Sequence, residues 1–277
     1  MSDPAPAATA RPETLEVLTE GTLELEGRLI TASNASFVGV STLDGVSLGC
    51  VYKPVRGERP LWDFPDGTLA RRERAAYLVS QGTGWGLVPP TVLRDGPFGP
   101  GMCQLWIDVA TGEELVDIVP FGAVPPGWMR ILDAEDQYRQ PVSLVHADVP
   151  ALRRMCALDA VINNADRKGG HVLVGPDGAI LGVDHGVCFH VQAKLRTVLW
   201  GWADEPLPAD CQEGLARLLA ALDGRSGGSG GRLAEQLRDL LSGTEVAALH
   251  RRTRQLRRRG RFPMPSQAWP AIPWPAF

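Results

Sequence analysis

The sequence predicts an α+β protein of two lobes, the first rich in strands and the second mostly helical. Three observations predict it. Up to about residue 109 the chain carries short apolar runs, several of them alternating with period two, separated by Gly-, Pro- and Asp-containing turns. From Asp148 onward the apolar residues recur three and four apart, the spacing of a helix face. Between and beside these halves lie polar loops dense in Asp, Asn, Lys and His. With 277 residues, 44% of them hydrophobic, the chain is long enough to bury a sizeable core.

Taken in order, residues 1–12 are rich in Ala and Pro and are expected to be disordered. Residues 13–108 form the first lobe, beginning as short strands from about Leu15. Strands are expected at 23–29, 37–42 and 47–53, the last two joined by the turn Leu43-Asp44-Gly45-Val46. Residues 55–68 read as a loop. A helix capped by Asp66 or Thr68 should run to Ser80 and present Leu69, Ala76, Tyr77 and Val79. Two further strands follow at 88–93 and 101–109.

The second lobe spans 109–261. Asp148 is the expected N-cap of a helix with Pro150 just inside it and an apolar face of Leu152, Met155, Leu158, Val161 and Ile162. Leu215, Leu218, Leu219 and Leu222 mark another helix, residues 224–231 a Gly/Ser linker, and Leu233, Leu237, Leu240 and Leu241 a further one. Ser242 with Glu245 reads as a capping box opening the last helix. The tail, 262–277, holds too many prolines to be helical.

Composition narrows the function. A net charge of −4 and a pI near 5.8 give no global attraction to nucleic acid or acidic membranes. The five cysteines (50, 103, 156, 188 and 211) are odd in number and form no CxxC pair, which favours reduced thiols in a cytoplasmic protein over zinc or disulfides. No apolar run approaches eighteen residues, and the N-terminus has no basic region ahead of an apolar one. Neither a transmembrane span nor a signal peptide is expected.

Chemistry is concentrated in Asn163-Asn164-Ala165-Asp166-Arg167-Lys168-Gly169-Gly170-His171 and in Asp184-His185-Gly186. Between them, Val172-Leu173-Val174 and residues 179–183 read as a hairpin around Gly175-Pro176-Asp177-Gly178. A hairpin returns the chain to its starting end, so Asp166, His171 and Asp184 should converge. Phosphoryl transfer needs such a meeting: one carboxylate to orient the attacking hydroxyl, another with a neighbouring ligand to hold Mg²⁺.

These two blocks, together with Val51-Tyr52-Lys53-Pro54, resemble the phosphatidylinositol 3/4-kinase-like branch of the kinase fold. The similarity is greatest to the type II phosphatidylinositol 4-kinases and more distant to HipA-type kinases, and it covers roughly residues 30–203. Trp200-Gly201-Trp202 also echoes an aromatic segment of the type II enzymes. The resemblance implies a two-lobed protein-kinase-like fold and transfer of the γ-phosphoryl group of ATP, with Mg²⁺ or Mn²⁺, to a hydroxyl.

It also distributes roles. Lys53, held by Glu73, would pair with the α- and β-phosphates, and Ser33 and Ser36 in Ser33-Asn34-Ala35-Ser36 would cover them. Gln104-Leu105-Trp106-Ile107 would lie at the lobe junction, its backbone groups holding adenine and Trp106 or Leu105 forming a wall. Asp166, with Arg167 beside it, would orient or deprotonate the acceptor, and Asp184 would bind metal. His171 departs from the family pattern, which has Asn five residues after the catalytic Asp. Imidazole prefers softer ions such as Mn²⁺ or Zn²⁺, so this change alters metal preference, leaves one metal, or marks a nucleotide-binding pseudokinase or scaffold. His185 and His190 read as packing residues. The acceptor is open among a lipid inositol headgroup, a soluble polyol and a protein Ser or Thr. Transfer of AMP is a third possibility. The arginines from 251 to 261 read as a solvated helix face, and no nucleic-acid partner is expected.

Overall fold

The computed structural model of the chain describes residues 12–29, 34–224 and 230–277. Its first lobe is a five-stranded antiparallel sheet, in the order β1-β2-β3-β5-β4. The strands are β1 (Thr22–Arg28), β2 (Phe37–Leu43), β3 (Val46–Pro54), β4 (Thr91–Gly96) and β5 (Gly99–Leu105). Asp44 and Gly45 turn β2 into β3 with positive φ at both positions, as the sequence requires of a tight hairpin. β4 begins three residues later than the alternation alone predicts, because Pro89 and Pro90 have no N–H for the ladder.

The lobe opens with a helix, α1 (Pro12–Glu20), where short strands were expected. Pro12 suits the first turn of a helix, and Glu13 follows it where a negative charge meets the helix N-terminus. Leu15 and Leu18, three apart, face the sheet. There Leu18 is fully buried with Cys50, Val92 and Cys103. The expected disorder at 1–12 falls, apart from Pro12, outside the described residues.

Helix α2 (Leu69–Thr83) packs behind this sheet and against the second lobe. Thr68, one of the two expected caps, occupies the N-cap position, but its side chain makes no capping bond. The Thr68 hydroxyl donates to Pro65 O at 2.7 Å, and the free amides of Leu69 and Ala70 donate to the Glu58 carboxylate at 3.0 and 2.8 Å. A carboxylate at that end satisfies two open donors and meets the positive end of the helix dipole.

The second lobe is helical around α3 (Pro150–Ile162), α4 (Ala209–Leu222), α5 (Gly230–Leu240) and α6 (Gly243–Arg259). The α6 capping box forms as read from Ser242 and Glu245. Asp148 does not cap α3. The N-cap position is Val149, and Asp148 instead binds Arg153 at 2.8 and 3.0 Å and the Trp202 indole at 3.0 Å. Residues 110–147, for which the sequence yielded no element, form a second antiparallel sheet: β6 (Val116–Pro120), β7 (Trp128–Glu135) and β8 (Pro141–Ala147), ordered β6-β8-β7. Val116, Leu144 and Ala147 from that sheet enter the same core as α2, α3 and α4.

The short hairpin of β9 (Val172–Val174) and β10 (Ile180–Gly182) forms where predicted. Most of the expected Gly/Ser linker, 225–229, lies outside the described residues. The tail past Phe262 has no helix or strand, and Phe262 itself is buried in the core. All five cysteines are free and buried. Among the described residues no helix is long and apolar enough to cross a membrane. The whole is the two-lobed α+β architecture expected, with more sheet in its second lobe.

Candidate active site between the lobes

Lys53 sits near the end of β3, where the sheet faces the second lobe. Its ammonium bonds Glu73 Oε1 of α2 at 3.0 Å and also contacts Asp184 Oδ1. Burial works against the charge on Lys53. The Glu73 and Asp184 carboxylates outweigh it and hold the ammonium above the ordinary lysine range. Glu73 is itself fixed on its other oxygen, which accepts the His185 amide at 2.8 Å. One buried carboxylate thus ties the strand lysine to the residue following Asp184.

The chain reaches Asp166 through a sequence of local bonds. Helix α3 ends at Asn163 in a left-handed conformation, φ 55°, which Asn tolerates better than most residues. Its amide nitrogen donates to His190 O and Gln192 O, and its carbonyl oxygen accepts from Lys194 N. Asn164 Oδ1 then accepts the Asp166 amide at 3.0 Å, an Asx turn that aims Asp166 away from the helix. Burial raises the Asp166 carboxyl above the usual aspartate range, with Lys168 at 3.5 Å opposing it.

Arg167 takes the opposite direction. Its side chain is fully buried beneath the loop and paired with Asp159 of α3. It also donates to His171 O at 3.2 Å and Val183 O at 3.0 Å. Its expected catalytic part is therefore corrected: the guanidinium points into the protein and holds the two ends of the hairpin together. Asp159, in the middle of an apolar helix face, was the sequence signal for this partner.

The hairpin brings His171 and Asp184 together as predicted. His171 Nε2 lies 3.3 Å from Asp184 Oδ2. Asp184 has φ 58°, a strained conformation for a residue with a side chain. Lys53, acting against burial, holds its carboxyl well below the usual range. Burial pushes the His171 imidazole down to about 4, so it is neutral near pH 7, and its Nδ1 is buried with no hydrogen-bond partner among the described residues. A neutral imidazole nitrogen beside an ionised carboxylate is a donor set suited to a divalent ion. Among the described residues no cluster of three or more His, Cys, Asp or Glu side chains is placed to hold one. An ion here would take two protein ligands and complete its shell from phosphate or water.

Lys53, Glu73, Asp166, His171 and Asp184 all line a single cleft of about 550 Å³. Ser36 and Asn34 line it too, from the segment before β2, while Ser33 lies outside the described residues. Gln104 and Trp106 do not line it. The Gln104 amide is buried and spent on the Thr91 hydroxyl of the neighbouring strand, at 2.8 Å, and Trp106 lies over Gly49 and donates to Asp108 at 3.1 Å. Met102 and Leu29 supply apolar wall instead.

Sequence reasoning missed Glu58, Arg59 and Phe277, which also line the cleft. No local pattern marks them, because each arrives by the path of a loop. The two tryptophans that echo the type II enzymes serve the interior: Trp202 is fully buried beside His146 and Phe262, and Trp200 donates to Ala271 O at 2.9 Å. His185 is buried as expected, with Nε2 2.6 Å from Arg167 Nη2.

No family model matches the chain. Among solved structures it is similar to that of a Helicobacter pylori proinflammatory kinase, CtkA, with a TM-score of 0.44 and 11% identity over 88% of this chain and 94% of that one. Among curated proteins it is 50% identical over 280 residues to Protein Rv2133c of Mycobacterium tuberculosis, covering 98% of each chain. On that identity and coverage, the chain belongs to the family of Rv2133c.

Proposed function

We propose that the chain is a phosphotransferase of the phosphatidylinositol 3/4-kinase-like kind. It would use ATP and Mg²⁺ or Mn²⁺ to phosphorylate a hydroxyl. One observation carries the reading: Lys53 is clasped by Glu73 and Asp184 in the same cleft that holds Asp166. A lysine so held is positioned for the phosphates of a nucleotide and cannot swing to solvent. Asp166 would accept the hydroxyl proton, a task helped by a carboxyl whose affinity for protons burial has raised. Asp184 and His171 would hold the divalent ion, which when bound neutralises developing charge on the phosphates. Ser36 and Asn34, which line the cleft, would close its phosphate end, and buried free thiols fit a reducing, cytoplasmic setting.

A second reading, nucleotide binding without transfer, is favoured by the small donor set: one carboxylate and one imidazole, with no third ligand among the described residues. Calorimetric titration with ATP in the presence of Mg²⁺ or Mn²⁺, followed by mass analysis of products over an acceptor panel, separates the two. Transfer predicts saturable metal-dependent binding and a phosphorylated product, and Lys53→Met should weaken binding at least tenfold, about 1.4 kcal/mol, with the fold intact. Binding without any product would support the second reading. Absence of metal-dependent ATP binding would refute both.

A further inference from the structure

Residues 262–277 return from the core to the cleft. Ala271 O accepts the Thr197 amide at 3.0 Å and the Trp200 indole at 2.9 Å, and Ile272 O accepts from Arg196 at 3.3 Å. Five residues on, Ala276 O accepts the Gly169 amide at 2.8 Å. The tail is therefore bonded both to the loop carrying Asp166 and to the segment that follows Asp184.

This route ends on Phe277. Its ring lies against Gly169, so close that a methyl group at that position would overlap it. The ring lines the cleft beside Asp166, Lys168 and Gly170. Trp269 anchors the same tail further back, with the Lys194 ammonium 4.6 Å from its ring centre and equally near that of Trp62. Lys194 also pairs with Asp63. A cation between two aromatic faces and a carboxylate is a strong anchor when largely buried, as the Lys194 side chain is at 3% exposure.

Resting on the phosphotransferase reading, we propose that the tail is the acceptor-side wall of this active site, with Phe277 orienting the acceptor. The acceptor class follows from what the wall leaves. On the strip beside the Asp166 loop, the Thr197 amide and the Trp200 indole are already satisfied by the tail, so neither is left to pair with the backbone of an extended polypeptide. The open face next to Asp166 is a phenyl ring, which offers apolar contact but no hydrogen bonds. A small cyclic polyol, with a C–H face for the ring and a hydroxyl for Asp166, fits that combination. An extended protein segment does not. A ring held there would also leave less room for water beside Asp166, and exclusion of water suppresses hydrolysis of the nucleotide.

The test uses the full chain with γ-labelled ATP and Mn²⁺, and three acceptor probes: water, a free cyclic polyol series and a serine-containing peptide. Phe277→Ala removes the ring. Gly169→Ala displaces it while the tail's sequence stays intact. Both should shift product from labelled polyol to free phosphate by roughly tenfold while ATP affinity stays unchanged, and Phe277→Tyr should restore the wild-type ratio. A peptide labelled as fast as any polyol, or wild-type product ratios in both alanine variants, would overturn the proposal. If the intact chain binds no ATP, the phosphotransferase reading fails first. Amide exchange then decides about the tail itself: slow exchange at Gly169 and Thr197, lost in Phe277→Ala, supports the wall, and unprotected amides overturn it.

Discussion

Asp166 and Asp184 are the same amino acid eighteen residues apart, and their surroundings push them in opposite directions. Burial makes Asp166 a better proton acceptor, while the Lys53 ammonium keeps Asp184 ionised. Divergent environments of this kind separate a general base from a metal ligand. Asp166→Asn should leave ATP binding unchanged and lower transfer by roughly two to four orders of magnitude, as expected for loss of a proton acceptor. Asp184→Asn should weaken metal-dependent nucleotide binding as well as turnover. Titration calorimetry and single-turnover rates on both variants check this, and identical profiles for the two would contradict the division of labour. These residues were legible in the sequence because each sits at an abrupt change from an apolar run to a polar loop. Gln104 and Trp106 misled for the converse reason: strand position says which residues lie near a junction, but the Thr91 hydroxyl, which claims the Gln104 amide, belongs to another strand.

At the scale of the element, the loop carrying Asp166 is held by a buried ion pair. Arg167 and Asp159 are both fully buried and share several hydrogen bonds, which Asn164 and Thr197 extend. Removing one partner leaves the other charge without water or a counter-ion. Asp159→Ala should therefore cost about 3–5 kcal/mol of stability, measurable by denaturant unfolding, and a cost under about 1 kcal/mol would show that Arg167 finds another partner. The hairpin between Asp166 and Asp184 was legible because its turn, Gly175-Pro176-Asp177-Gly178, is local chemistry. The three-stranded sheet of β6, β7 and β8 was not. Its strands lie among Gly, Pro and charged residues, and apolar positions such as Val116, Leu144 and Ala147 make sense only once the shared core is assembled. Helix α1 escaped for a related reason, since its apolar face is only Leu15, Val17 and Leu18, too few to reveal a period.

For the whole molecule, the two lobes meet through side chains in and around the cleft. Arg72 of α2 donates to Glu245 of α6 at 2.6 Å and to Cys188 O at 2.7 Å. Lys53 and Glu73 reach across to Asp184 and His185, and Trp62 and Asp63 meet Lys194. The two-lobed architecture was visible in the change of periodicity along the chain, whereas these cross-links join residues more than a hundred positions apart and leave no local trace. The central claim is that this junction is a metal–nucleotide site. The most direct measurement is a crystal structure with a non-hydrolysable ATP analogue and Mn²⁺, supported by the same experiment on His171→Asn. The account predicts an ion ligated by Asp184 Oδ2, His171 Nε2 and phosphate oxygens, with the Lys53 ammonium on the α- and β-phosphates and Asp166 facing the γ-phosphate. A nucleotide bound elsewhere, or an ion in the cleft that touches neither Asp184 nor His171, would contradict it.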